Sequence, residues 1–266
     1  MFRRVLFATD LSERSLNVLK SIKNFRCLGI EEILLVRVVN ISRFLGARGI
    51  DINSYVKEIE SESVPKLENV AREMEDLGFK AKLIMPLPVG DPVGEIVKIA
   101  EDEAVDLIIM GSRGRSTIKA ILLGSTAEGV INKTEIPVIV FKDHQGDVFN
   151  RILYAHDLSK KAENLGVYVR FVAKHCNSDV VVVHILERGE ILEENWIGRV
   201  VSGLREDGIN VKIVIGDGNP PKEIVKIAEI EGASCIFVGR SGIGSRILGS
   251  TADFIVRYSK VPVFVA

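Results

Sequence analysis

The sequence predicts an α/β protein made of two repeats, each a five-stranded parallel doubly wound sheet of the Rossmann-like kind. Three observations lead to this prediction. The chain of 266 residues contains an internal repeat. Each repeat alternates short apolar, β-branched runs with longer amphipathic segments. The apolar runs do not alternate with polar residues, as is typical of parallel strands that helices cover on both faces.

The internal repeat divides the chain into two homologous domains, which we predict at residues 1–143 and 151–266. Three matches occur in the same order in both halves. They are RRVLFATDLS from Arg3 and RILYAHDLSK from Arg151, EIVKIAE from Glu95 and again from Glu223, and LGSTAEGVINKTEIPVIV from Leu123 and LGSTADFIVRYSKVPVFV from Leu248. The polar, glycine-containing stretch between the copies indicates a linker at residues 144–150.

Strand and helix patterns alternate within each repeat. The first repeat has strand patterns at residues 5–9, 32–39, 80–85, 106–111 and 136–141, with helical patterns near 12–28, 53–77, 93–103 and 126–133. The second repeat has strand patterns at 151–156, 179–186, 210–215, 234–239 and 261–266. Because connections between parallel strands are right-handed, this order gives a doubly wound sheet. Ligands of such sheets bind at the carboxyl ends of the strands.

The composition argues against several classes of protein. Hydrophobic residues make up 47% and charged residues 27%, which is typical of a globular chain rather than a disordered one. The formal net charge of −1 gives no general attraction for nucleic acid or acidic membranes. The N-terminal segment meets Asp10 too early for a signal peptide, and no apolar run is long enough to span a membrane. We therefore expect a cytoplasmic protein without nucleic-acid or membrane partners.

A glycine-rich segment follows the fourth strand of the first repeat. Its spacing is G-x2-G-x9-G-S, formed by Gly111, Gly114, Gly124 and Ser125. Glycines allow a ligand to approach the backbone closely, and Ser125 with Glu128 predicts a capping box at the start of a helix. The N-terminus of a helix attracts phosphate, so this segment predicts an anion site. The alternative is that these glycines form a tight strand-to-helix turn.

Asp10 ends the first strand and has two open interpretations. Its carboxylate can accept a hydrogen bond from an adenine amino group or a ribose hydroxyl. Equally, Asp and Ser are favoured as N-caps, and Asp10 stands just before Ser12 and a helical pattern. The chemistry of the residue does not separate these two roles.

These residues together resemble the pattern of the universal stress protein family, over nearly the whole chain and twice, as in a tandem member. The resemblance implies that ATP or AMP, with Mg²⁺ allowed, binds at the carboxyl edge of the sheet. It implies that Asp10 and the backbone of Val38 hold adenine. The first-repeat residues implied at the nucleotide are Thr9, Asp10, Val38, Met110, Gly111, Arg113, Gly114, Gly124, Ser125 and Thr126.

The second repeat matches this pattern with a shorter glycine segment. Its spacing is G-x2-G-x6-G-S, so fewer backbone N–H groups are available to surround phosphates. We expect a weaker or more selective site, with Arg240 and Arg246 as alternative sources of charge. The matching residues are Asp157, Ile185, Gly239, Gly242, Gly249, Ser250 and Thr251.

The resemblance also implies how the repeats assemble. Members of the family commonly pair through their last strands, which are the apolar runs at residues 137–141 and 262–266. Unpaired apolar edge strands favour aggregation. We therefore expect an internal pseudo-dimer, with a homodimer of chains as a further option.

No motif indicates catalysis. The four histidines are dispersed, no carboxylate cluster accompanies the glycine segment, and neither a metal-ligand spacing nor a G-x-S-x-G elbow occurs. We expect a nucleotide-binding stress-response or regulatory protein with at most slow ATP hydrolysis, not an enzyme. The alternative is an interaction scaffold of the same fold that binds no nucleotide. An adenylating enzyme would need an S-G-G-x-D-S type loop, whereas the first strand is followed by ATDLSERS.

Overall fold

The computed structural model describes residues 1–44, 51–112, 123–142, 146–186, 195–240 and 248–266. The described chain forms two compact units. One comprises residues 2–138, and the other comprises residues 139–266 together with Met1. The two predicted α/β repeats correspond to these two compact units.

The unit 2–138 is a parallel sheet with helices between its strands. Its strands are β1 (Arg4–Ala8), β2 (Glu32–Val36), β3 (Val39–Asn40), β4 (Lys80–Leu83), β5 (Val89–Gly90) and β6 (Leu107–Gly111), with β7 (Val138–Phe141) beginning at its end. Its helices are α1 (Glu13–Leu16), α2 (Leu19–Ile22), α3 (Ile52–Asp76), α4 (Pro92–Asp102) and α5 (Ser125–Lys133). The order β6-β1-β2-β4 is parallel throughout, and β3 pairs with β5 in a separate small sheet.

The unit 139–266 repeats this plan. Its strands are β8 (Arg151–Ala155), β9 (Asp179–Leu186), β10 (Val211–Asp217), β11 (Cys235–Val238) and β12 (Val263–Val265), in the parallel order β10-β9-β8-β11-β12. Its helices are α6 (Lys160–Cys176), α7 (Trp196–Glu206), α8 (Pro220–Ile230) and α9 (Ser250–Tyr258). The mostly parallel, Rossmann-like α/β class predicted from the sequence is confirmed for both units.

The cores consist of strand residues that the sequence pattern marks as buried on both faces. All five residues of β2 and all four of β11 are buried. In the second unit Phe237 and Phe264 stack in parallel, with ring centroids 4.4 Å apart. Phe149, in the predicted linker, is as fully buried as Phe2 at the matching position of the first unit.

The helical pattern at residues 12–28 was predicted as one helix and is wrong in that respect. The chain there forms α1, α2 and a 3₁₀ turn at Lys23–Leu28. Ser15 Oγ donates to the carbonyl of Ser12, and the amides of Lys20 and Ser21 bond three residues back rather than four. Polar side chains that bond nearby carbonyls compete with a regular helix, so this segment breaks into short turns.

The third predicted strand differs between the units. In the first unit β4 ends at Leu83, because the following segment contains Pro86 and Pro88, which lack an N–H for the ladder. The chain then pairs again, two residues long, as β5 with β3. In the second unit the matching segment has no proline, and β10 continues for seven residues beside β9.

At the amino edge of each sheet one polar side chain bonds backbone amides, just after α4 in the first unit and just after α8 in the second. Asp106 Oδ2 accepts the amides of Arg3 and Arg4 at 2.8 and 3.0 Å. Ser234 takes the matching position in the second unit, where its Oγ accepts the amide of Arg151 at 2.9 Å. These bonds satisfy backbone groups at the sheet edge opposite to the glycine-rich segment.

In the described part of the chain, no helix combines the length and the apolar character that crossing a membrane requires.

Candidate functional site

The first unit brings most of the described candidate residues to one edge of its sheet. Thr9 and Asp10 directly follow β1, Val38 follows β2, and Met110 lies near the end of β6. The register sets Ala8 beside both Val36 and Met110. Because the strands are parallel, their carboxyl ends meet here, at the edge where ligands of such sheets bind.

Residues 10–12 form a tight turn, called here the Asp10 corner, in which Ser12 donates hydrogen bonds to Asp10. The amide and the hydroxyl of Ser12 both donate to Asp10 Oδ1, at 3.0 and 2.6 Å. Ser12, rather than Asp10, is the N-cap of α1, since its Oγ accepts the amide of Ser15 at 3.2 Å. Leu11 between them has a left-handed φ of 58°. The N-cap interpretation of Asp10 is therefore wrong, and its carboxylate instead faces back onto a tight turn.

Three buried polar side chains, those of Thr9, Ser15 and Arg37, lie next to this turn, and of these the sequence predicted only Thr9 as a site residue. Thr9 Oγ1 and Ser15 Oγ are 2.9 Å apart, and Thr9 Oγ1 also accepts the amide of Leu11 at 3.0 Å. Arg37, the last residue before Val38, is only 8% exposed. Its Nη1 donates to the carbonyl of Asp10 at 3.3 Å. A guanidinium at the end of a predicted buried strand was the available signal, because a cation is rarely buried without polar partners.

The end of the glycine-rich segment forms the start of α5. Gly124, with φ −66° and ψ 139°, is the N-cap, and its amide donates to the carbonyl of Ser112 at 2.8 Å. Ser125 is thus the first helical residue, and no side chain caps this end of the helix. The predicted capping box of Ser125 and Glu128 is wrong, because both residues stand one position further into the helix than a box requires.

The structure describes the two ends of the first glycine-rich segment. Gly111 ends β6, and Gly124, Ser125 and Thr126 begin the helix region. Arg113 and Gly114 lie outside the described residues, as do Gly242 and Arg246 of the second repeat and residues 45–50. The structure therefore describes the strand end and the helix start of this segment, and residues 113–122 lie outside the described residues.

In the second unit the Asp157 corner has the same turn but different surroundings. Ser159 caps α6, and its amide donates to Asp157 Oδ1 at 3.0 Å. Asp157 is exposed, whereas Asp10 is half-buried. His184 occupies the position of Arg37, and its Nδ1 bonds the carbonyl of His156 at 2.8 Å. His184 therefore bonds the residue before the aspartate rather than the aspartate itself.

His156 replaces Thr9 and is a buried imidazole. Its Nδ1 accepts the amide of Leu158 at 3.0 Å, as Thr9 Oγ1 accepts the amide of Leu11. The side chain is 3% exposed, and its Nε2 has no hydrogen-bond partner among the described residues. Burial lowers the pKa of His156 to about 4, against the opposing pull of the nearby carboxylates. This histidine is neutral at pH 7, and its Nε2–H is a buried donor without a hydrogen-bond acceptor among the described residues.

Ile185, the counterpart of Val38, is packed into the second unit. It is 6% exposed, whereas Val38 is half-buried. A Cβ added at Gly216 would lie 2.8 Å from Ile185 Cδ1, so the isoleucine side chain fills the space above this glycine. The space beside the strand end is thus smaller in the second unit.

The described part of the second glycine segment resembles the first. Gly239 follows β11, Gly249 is the N-cap of α9 without a side-chain cap, and Ser250 and Thr251 are the first helical residues. The amide of Gly249 donates to the carbonyl of Arg240, as that of Gly124 does to Ser112. Both units therefore present an uncapped helix N-terminus after the fourth main strand, to which anions are attracted.

Metal chemistry finds little support in the described residues. Across the ranges that the structure describes, no three His, Cys, Asp or Glu side chains form a group that could hold a metal ion. What the arrangement can do is present a carboxylate corner, a strand end and a row of helix amides to a ligand at one sheet edge.

The model of the universal stress protein family matches residues 1–142 and again 149–266. A universal stress protein of Methanocaldococcus jannaschii is 43% identical over 159 residues, which cover 53% of this chain and 96% of that protein. The crystal structure of a universal stress protein from Archaeoglobus fulgidus DSM 4304 aligns with a TM-score of 0.86 at 38% identity. That alignment covers 99% of this chain and 95% of the other.

A protein of unknown function from Pseudomonas aeruginosa PAO1 shares the fold alone, with a TM-score of 0.69 at 16% identity. The alignment covers 99% of this chain and 92% of that one. The two-repeat architecture thus extends to chains of little sequence similarity.

Proposed function

This chain belongs to the universal stress protein family, with two copies of the domain, and we propose that its first repeat binds an adenine nucleotide, ATP or AMP. The role we propose is that of a stress-response regulator. The observation that carries the proposal is the shared edge at which the Asp10 corner, Val38 and the start of α5 meet. A nucleotide needs a hydrogen-bond acceptor for the amino group of its base and N–H donors for its phosphates, and this edge offers both.

Each group at this edge suits one part of the ligand. The Asp10 carboxylate suits the amino group of adenine, and the backbone of Val38 lies between β2 and β3, outside both strands. Gly111, Gly114, Gly124, Ser125 and Thr126 would surround the ribose and phosphates, with Mg²⁺ bound through the phosphates where it is present. The amides at the start of α5 suit phosphate because, among the described residues, no side chain caps that end of the helix.

For the second repeat we propose weaker binding. Asp157 is exposed, Ile185 fills part of the space beside its strand, and the glycine segment is three residues shorter. These differences leave the second repeat with a less enclosed aspartate, less space beside its strand end and fewer backbone N–H groups in its glycine segment.

The remaining features of the proposal follow from the sequence. We propose domains at residues 1–143 and 151–266, joined through their last strands as an internal pseudo-dimer, in a cytoplasmic protein. We also propose that the protein is not an enzyme beyond slow ATP hydrolysis, since among the described residues we identify no base positioned beside a candidate phosphate site.

Calorimetric titration with ATP, ADP and AMP tests the proposal on nucleotide-stripped protein. We expect Asp10→Ala to weaken binding to the tighter site by about tenfold or more, because it removes a hydrogen bond to a charged group. The matched variant Asp157→Ala should leave the tighter site unchanged. Both aspartates bond a serine two residues on, so the pair controls for loss of the turn itself.

The opposite results are equally clear. If the wild-type chain gives no binding heat and releases no nucleotide on denaturation, the proposal is wrong and the interaction scaffold becomes the better hypothesis. If Asp157→Ala rather than Asp10→Ala weakens the tighter site, the two repeats have been assigned in the wrong order.

A further inference from the structure

We infer that Arg37 is a positioning residue that fixes the Asp10 corner and thereby makes the first repeat the tighter nucleotide site. This inference rests on the proposed function and adds to it the reason why the two repeats differ. Arg37 is not placed against the ligand; it acts on the residue that is.

The geometry holds Asp10 from two sides. Arg37 Nη1 donates to the backbone carbonyl of Asp10 at 3.3 Å, and Ser12 donates twice to its carboxylate. Arg37 is beside Thr9 across the sheet, since the register sets Ala8 beside Val36 and the amide of Thr9 donates to the carbonyl of Val36.

The second repeat provides the comparison. His184 stands at the position of Arg37, and its shorter side chain bonds the carbonyl of His156 rather than that of Asp157. Asp157 is correspondingly exposed, while Asp10 is half-buried. The arginine side chain therefore bonds the aspartate itself, whereas the histidine side chain bonds the residue before it. Asp10 is bonded at its carbonyl and its carboxylate, and Asp157 at its carboxylate.

A fixed corner binds more tightly because less conformational freedom is lost when the ligand arrives. The donor at the carbonyl is also permanently charged, since arginine does not lose its proton in proteins. The strength of the hold on Asp10 therefore does not depend on pH in the physiological range.

A double-mutant cycle between Arg37 and Asp10 tests this inference by ATP titration, in an Asp157→Ala background that isolates the first repeat. We expect Arg37→Gln to weaken ATP binding about tenfold and Arg37→Lys to restore most of the loss. In chains that already carry Asp10→Ala, Arg37→Gln should have an effect below about twofold, because the carboxylate that Arg37 positions is gone, although the carbonyl that Arg37 bonds remains. Preference for ATP over GTP should fall in Arg37→Gln, which a loss of folded protein would not produce.

Hydrogen exchange of the nucleotide-free protein reads the positioning without any ligand. The amides of residues 11 and 12 should exchange faster in Arg37→Gln than in the wild type, and those of residues 158 and 159 should not change. His184→Gln is the matched control and should leave ATP binding to the first repeat unchanged.

Two results would overturn the inference alone: unchanged ATP affinity in Arg37→Gln, or an equal loss in the presence and absence of Asp10→Ala. If wild-type protein binds no ATP while exchange at residues 11 and 12 still depends on Arg37, the proposed function fails and Arg37 has a purely structural role.

Discussion

The second unit should lose up to about 3 kcal/mol of stability as the pH falls from about 6.5 to 4, because His156 titrates differently in the folded and unfolded chain. Burial lowers the pKa of this imidazole from 6.5 to about 4 in the folded unit. Between these values the unfolded chain binds a proton that the folded unit does not. Acid therefore favours unfolding in this window, and above pH 6.5 the effect vanishes.

The surroundings of His156 explain why burial prevails. Tyr154 of β8, the strand that ends just before His156, packs edge-to-face on the imidazole with ring centroids 5.1 Å apart, and His184 lies next to it in β9. Asp157 and Glu163 favour the charged form, but Asp157 is exposed and Glu163 is paired with Lys160 at 2.8 Å. Carboxylates screened by water or by another cation give little compensation for a buried charge.

Urea unfolding at pH 7.5 and pH 5.0 measures this effect. Trp196 is the single tryptophan of the chain and is buried in α7, so its fluorescence reports the second unit. His156→Thr, which introduces the residue of the first repeat, should remove most of the pH dependence. His175→Gln changes a solvent-exposed histidine and should retain it. An unchanged pH dependence in His156→Thr would show that other groups cause the acid sensitivity.

Gly129→Ala should destabilise the first unit by about 1–3 kcal/mol, although alanine favours helices more than glycine does. A Cβ at this position in α5 would lie 2.6 and 3.0 Å from the two methyl carbons of Val93 in α4. Valine is branched at its β-carbon and has little freedom to turn away. The two helices can approach closely only because residue 129 has no side chain.

Thermal unfolding followed by circular dichroism, with hydrogen exchange in α4 and α5 to identify the unit, measures the loss. Gly198→Ala is the matched control, because a Cβ there meets no atom of the described residues within 4 Å. It should stabilise α7 by about 0.5–1 kcal/mol. Combining Gly129→Ala with Val93→Ala should recover part of the loss. Equal stabilisation by both glycine substitutions would contradict the close approach of α4 and α5.

The fold was predictable because it depends on patterns that repeat along the chain. Uninterrupted β-branched runs such as that of β9 fit a strand covered on both faces, and all of its interior residues are buried. The repeated segment EIVKIAE lies within α4 in the first unit and within α8 at the corresponding place in the second. These signals are local or repeated, so they do not require knowledge of which distant residues meet.

The details that the sequence did not predict depend on contacts between elements. Arg37 acts through the carbonyl of Asp10, 27 residues away, and backbone carbonyls leave no trace in a sequence. The capping-box pattern at Ser125 failed because Gly124 already has the extended backbone of an N-cap. The small sheet of β3 and β5 arose because prolines ended β4, and two-residue strands have no periodicity to recognise.

The interruption of β4 gives the first repeat a region that can open without global unfolding. Residues 84–88 include two prolines, and the sheet beyond them is held by only two paired residues on each strand. Such a short ladder is a weak cooperative unit, whose amides should exchange with solvent long before those of β1 and β2. In the described part of the second repeat, β10 pairs with β9 over seven residues without such an interruption. The amides at this edge should therefore exchange more slowly in the second repeat than in the first.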